Sequence, residues 1–221
     1  MDVVALIERT LDTHVMHELG YRFAPTPGAR LVLVLGENAA GKSFFRRLIR
    51  AILQDKDSVK DGFYVRSVFD FSMEARSRGG IARGMIYGSE EWGSTGILGA
   101  KVLTNSFIHS SQQREGHVII WDEPDIGMSS RLAASAGRAL GRYVASAPAE
   151  LEAAILTSHS PHLVEQAVLA TPAHYLWLGS SDGPPTIADW VRAQAQPVLI
   201  DLEEACARAL ERTRAIGKLL G

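Results

Sequence analysis

Apolar residues along the chain switch between two spacings. Val4, Leu6, Ile7, Leu11 and Val15 recur at helical spacing, which predicts a helix over residues 2–18 that ends near Gly20. Tyr21, Phe23 and a Pro25-Thr26-Pro27-Gly28 turn lead into Leu31-Val32-Leu33-Val34-Leu35, an unbroken apolar run of the kind buried on both faces of a parallel sheet. Phe44, Phe45, Leu48, Ile49 and Ile52 return to the helical spacing, and residues 63–71 alternate as a strand does. Residues 74–96 are glycine-rich and aperiodic, and read as a loop-rich insertion over a site. Helices are then predicted over 97–112, over 132–144 and, opened by Pro161, over a short stretch after it. Strands are predicted over 117–121, 153–157 and 174–178, and a last helix over 201–220. Strand and helix alternate, so the expected fold is α/β, a mainly parallel sheet flanked by helices, with its ligand site at the carboxyl ends of the strands.

The chain's 221 residues suit one domain over 1–221, with residues 72–112 as its insertion. A net charge of -2 gives no sign of a surface devoted to nucleic acid, although a local basic patch stays open. Cys206 stands alone, offers neither a disulfide nor a metal-ligand spacing, and reads as a small buried apolar residue. No segment approaches the roughly 20 apolar residues of a membrane helix, and the amino-terminal stretch is unlike a signal peptide, so no membrane contact and a cytoplasmic location are expected.

The chemistry is concentrated after the first apolar strand. Gly36-Glu37-Asn38-Ala39-Ala40-Gly41-Lys42-Ser43 matches G-x-x-x-x-G-K-[ST] in full, between a strand and a helix, which is the context a phosphate-binding P-loop requires. Its glycines let backbone N–H groups turn toward phosphate oxygens, Lys42 supplies positive charge to the β and γ phosphates, and Ser43 supplies a ligand for Mg2+. The strand over 117–121 ends in Asp122-Glu123-Pro124. A carboxylate there faces the same crevice, so Asp122 is placed to hold Mg2+ and Glu123 to polarise an attacking water.

These residues resemble the ABC-type ATPases, in their soluble RecF-like and SMC-like branch. The resemblance runs from the P-loop to His159 and rests on Gly36-Glu37-Asn38 before Ala-Gly-Lys-Ser, and on Asp122-Glu123-Pro124-Asp125-Ile126-Gly127 as a Walker B box. It implies a P-loop NTPase fold with a reduced helical insertion. It also implies ATP and Mg2+ as ligands, with ATP held by Gly36, Glu37, Asn38, Ala39, Ala40, Gly41, Lys42, Ser43 and Phe44. Catalysis would fall to Glu123, Lys42 and His159, the last placed in Thr157-Ser158-His159-Ser160-Pro161 where the family carries a γ-phosphate-sensing histidine. The family's signature loop, which caps the nucleotide of a second copy, is matched to Ser94, Thr95 and Gly96, and departs from the common L-S-G-G-Q wording. An ATP-dependent homodimer follows from the resemblance.

Other features depart from the family. The segment after Phe71 holds no Gln before Gln112, which argues against coupling to a membrane permease, and Met128-Ser129 replaces a second Asp. Tyr21 or Phe23 is placed to stack on adenine, or equally to pack in the core or on an edge strand. Arg46, Arg47 and Arg50 read as a solvated helix face, while Arg76, Arg78 and Arg83 are the better candidates for a polyanion or partner. With no coiled-coil arm, a role in DNA maintenance needs a further protein partner, and an accessory ATPase in a defence system fits by analogy. A P-loop kinase or transferase, and a module that binds ATP without hydrolysing it, remain the alternatives.

Overall fold

A computed structural model describes residues 2–55, 60, 62, 65, 67–71, 95–179, 182–196 and 201–220. Among them run α1 (Val3–Leu11), α2 (His14–Leu19), β1 (Tyr21–Ala24), β2 (Leu31–Gly36), α3 (Lys42–Gln54), β3 (Ser67–Phe71) and α4 (Thr95–Ser111). There follow β4 (His117–Asp122), α5 (Ser130–Ser146), β5 (Leu151–Thr157), α6 (Pro161–Ala170), β6 (Ala173–Leu178), α7 (Ile187–Ala195) and α8 (Leu202–Leu220).

The strands form one six-stranded sheet in the order β1-β6-β2-β5-β4-β3. All pairings are parallel except that of β1 with β6. The uninterrupted apolar runs explain the arrangement: Leu31, Leu33 and Leu35 point to one face and Val32 and Val34 to the other, so β2 must be covered on both sides. Helices α4 to α7 cover the first face through Leu103, Leu140, Leu163 and Trp190. Helices α1 to α3 cover the second through Ile7, Met16, Phe45 and Ile49.

Several boundaries differ from the sequence expectation for identifiable reasons. The single opening helix is two, because Thr13 is extended (φ -100°, ψ 143°) and restarts the chain as α2, which turns Met16 and Leu19 back onto the core. Of the places open to Tyr21 and Phe23, an edge strand is the one found: the segment pairs antiparallel with β6, with both rings half-buried against the second face. Residues 67–71 of the predicted 63–71 strand form β3; residues 63, 64 and 66 lie outside the described residues. Helix α7 is not anticipated, although Thr186 caps it by accepting from the Asp189 N–H at 3.1 Å and its Trp190 is buried. Cys206, expected inside, is exposed, because α8 meets the body mainly through α2 and turns that side outward. The 74–96 segment lies outside the described residues except for Thr95 and Gly96. No helix among the described residues is long and apolar enough to cross a membrane.

The closest helix packing is that of α5 on α6. A Cβ built on Gly137 would stand 2.0 Å from the Leu163 carbonyl oxygen, and one on Gly141 would stand 2.4 Å from that of Ala167. The two glycines, one turn apart, let the backbones touch. Gly137→Ala therefore forces the helices apart and is expected to destabilise the protein by about 2 kcal/mol or more. Urea unfolding of the variant measures this, and an unchanged midpoint would contradict the contact.

Candidate functional site

The carboxyl ends of β2, β5 and β4 lie side by side, with β5 in the middle. Asp122, the last residue of β4, pairs in register with Thr157, the last of β5. The glycine-rich loop over residues 36–43 leaves β2 at the same edge.

In that loop Gly36, Ala40 and Lys42 are buried, Gly41 and Phe44 are half-buried, and Glu37, Asn38, Ala39 and Ser43 are exposed. Gly41 adopts φ 97° as it enters α3, a conformation open to glycine and strained for other residues. Lys42 folds back, its Nζ donating to the carbonyl oxygens of Gly36 at 3.0 Å and Glu37 at 2.9 Å. Burial lowers its pKa to about 8, and the charges of Glu123, Asp122 and Glu37 pull it back upward. Lys42 and the two predicted acids therefore share one electrostatic site.

The acids are held from β5. Thr157 Oγ1 donates to Asp122 Oδ1 at 2.6 Å and accepts from the Glu123 N–H at 3.1 Å, a group that also reaches the Thr157 carbonyl at 3.1 Å. Those bonds hold Glu123 at φ 51°, a left-handed conformation uncommon outside glycine. His159 Nε2 lies 3.2 Å from Glu123 Oε1, and this hydrogen bond is the main reason that the Glu123 pKa is lowered despite partial burial. Burial raises the pKa of Asp122, against the bond from Thr157 and the charge of Arg46. Ser158 Oγ donates to Asp125 Oδ1 at 2.9 Å, so the two loops are joined at three successive points.

Sequence reasoning overlooked part of this site. Arg46, read as a solvated residue, is 3% exposed; its NH1 donates to both Asp70 carboxylate oxygens at 2.8 Å, and its Nε faces Asp122 Oδ2 at 3.4 Å. Arg50 adds a bond to Asp70 at 3.2 Å, whereas Arg47 is exposed as expected. The overlooked signal is positional: Arg46 stands one turn after Lys42, beside Phe45 and Ile49 on the stripe that faces the sheet.

Thr95 and Gly96 open α4 against the loop that follows the acids. A Cβ on Gly96 would stand 2.5 Å from the Gly127 carbonyl oxygen. Ser94 lies outside the described residues, as do Arg76, Arg78 and Arg83.

The arrangement offers hard oxygen donors, the Ser43 hydroxyl and the Asp122 carboxylate, beside a buried ammonium group and an ionised Glu123. That donor set suits Mg2+, which takes one or two protein oxygens and completes its shell with phosphate and water. No group of three or more His, Cys, Asp or Glu among the described residues is arranged to hold a metal ion. A groove of about 500 Å³ at the opposite edge, lined by Pro25, Arg30, Glu152 and His174, is less promising. Arg30 there is engaged by four carbonyl oxygens, and His174 by Thr26 and Ala29.

Comparison with protein-family models and with curated proteins finds no match to this chain.

Burial of Lys42 has a measurable consequence. Between the folded pKa of about 8 and the ordinary value of 10.5, the unfolded chain holds the proton that the folded chain has lost. Stability should therefore rise with pH across that window, and Lys42→Met should abolish the rise. Chemical denaturation of both proteins from pH 7.5 to 10, about the span of that window, is the check; parallel profiles would mean that Lys42 is not desolvated.

Proposed function

We propose that this chain binds Mg·ATP at the carboxyl edge of its sheet and hydrolyses it to ADP and phosphate, as an ABC-type P-loop ATPase. The observation that carries the reading is the meeting of Lys42, Asp122, Glu123 and His159 at one edge, where Lys42 feels the charge of both acids and His159 bonds to one of them.

In this reading the 36–43 loop wraps the phosphates with its N–H groups, and Lys42 exchanges the carbonyls of Gly36 and Glu37 for phosphate oxygens. Phe44 sits at the start of the same helix, beside Ser43. Ser43 and Asp122 hold Mg2+, which when bound neutralises charge on the β and γ phosphates. Glu123, kept ionised, accepts a proton from water as the water oxygen bonds to the γ-phosphorus and the bond to the bridging oxygen breaks. His159 is exposed enough to turn from Glu123 toward a γ-phosphate, so occupancy of the site is felt by the loop after β5.

The rest of the reading extends to assembly. Two copies meet head to tail, each offering the Ser94, Thr95 and Gly96 segment to the nucleotide of the other, and hydrolysis releases them. A cytoplasmic location goes with ATP as the substrate. The role proposed, by analogy, is that of an accessory ATPase that works with another protein, in DNA maintenance or defence.

Glu123→Gln is expected to lower phosphate release by about a hundredfold or more while leaving nucleotide binding intact. In light scattering the variant should become a dimer with Mg·ATP and stay a monomer without it. Phosphate release unaffected by the substitution would leave a nucleotide-binding module without turnover, and transfer to a second substrate would indicate a kinase.

A further inference from the structure

Arg46 is a buried cation among carboxylates, and its contacts are unequal. Its NH1 holds both oxygens of Asp70 at 2.8 Å, and Asp70 is steadied further by Arg50 at 3.2 Å. Toward Asp122 the same guanidinium presents Nε at 3.4 Å, too long and too poorly aligned for a good hydrogen bond. Asp122 is unequal in turn, since Oδ1 receives the 2.6 Å bond from Thr157 and Oδ2 faces Arg46. One oxygen of Asp122 is committed, and the other is held by an attraction that can be exchanged.

Charge explains why a cation stands there. The side chains of Asp70 and Asp122 are 9% and 14% exposed, and Glu123 follows Asp122 directly. Carboxylates gathered so closely, away from water, repel one another unless positive charge lies among them. Arginine suits this place because it keeps its charge when buried and its donors point several ways at once.

We infer that Arg46 is the resident counter-cation of Asp122: it occupies Oδ2 before a divalent metal arrives, and yields that oxygen to the metal on entry. Asp70 retains the guanidinium once Asp122 has been released, so the displaced cation is never left unpaired in the interior. Arg46 is thus a positioning residue that sets how much Mg2+ the site needs. The inference rests on reading Asp122 as the metal-facing acid.

The test uses the full chain and a fluorescent ATP analogue titrated with Mg2+, together with melting in EDTA and in Mg·ATP. Arg46→Met removes the competitor, and the Mg2+ concentration at half-effect should fall about fivefold. Asp70→Asn removes the negative charge that draws the guanidinium away from Asp122, and the midpoint should rise about fivefold. Arg46→Met should also lose more melting temperature in EDTA than in Mg·ATP. Midpoints equal to wild type, with melting lowered alike in both conditions, would make Arg46 a purely structural pair and overturn the inference. Should Arg46→Met fail to fold, the Asp70→Asn midpoint decides by itself. Asp122→Asn separates the two levels: Mg2+ dependence present in wild type and lost in this variant upholds the metal-facing role whatever the Arg46 result. No Mg2+ dependence in wild type removes that role and the inference together.

Discussion

The hydroxyl of Thr157 connects the two acids that give the sheet edge its chemistry. It is fully buried at the end of β5, donates to Asp122 and accepts from the backbone of Glu123. Both bonds require the β4–β5 register that sets Asp122 opposite Thr157. A slip of one residue would turn the side chains of β4 to the opposite faces and send the Asp122 carboxylate away from the loop that carries Lys42. The left-handed backbone of Glu123 depends on the same anchor, because without those acceptors an extended conformation is less strained.

Around this anchor the interior accepts charge that an ordinary core excludes. Lys42 and Arg46 lie one turn apart on the stripe of α3 that also carries Phe45, Ile49 and Leu53. Each loses water on burial, and each is offset by carboxylates delivered from the strand ends, Asp70 from β3 and Asp122 from β4. The balance is mutual: each buried cation lies beside carboxylates, and each buried carboxylate beside a cation. The site is therefore a property of α3, β3, β4 and β5 together.

Helix α4 extends this site across the molecule. Its first turn touches the loop after Glu123 through Gly96 and Gly127, a backbone approach that a side chain at either position would block. Further along, its serines are fixed to β4 and to α5. Trp121 Nε1 donates to Ser106 Oγ at 2.9 Å, Tyr143 donates to Ser110, and Ser110 lies 2.6 Å from His117 Nε2. Burial lowers the pKa of His117 and so favours the neutral ring, in which Nδ1 donates to the Glu115 carbonyl and Nε2 is the acceptor. The helix is therefore braced along its length, by the 125–128 loop at its start and by Ser106 and Ser110 further on.

The sequence by itself determined the sheet and the kinds of chemistry at its edge. Runs apolar on both faces have no stable place except a covered strand, and the glycine, lysine and acid positions that follow β2 and β4 are local features with a local signature. It also marked the helices over 97–112 and 132–144 to within two residues at each end. Only the tertiary structure decided where charges on those stripes find partners. Arg46 meets Asp70 across 24 residues of chain, and Asp122 meets Thr157 across 35, separations at which periodicity carries no information. The exposure of Cys206 and the pairing of β1 were settled in the same way. Spacing fixes which face of an element is apolar, whereas the partner of a buried charge, and the side of a helix left to water, follow from what packs against it.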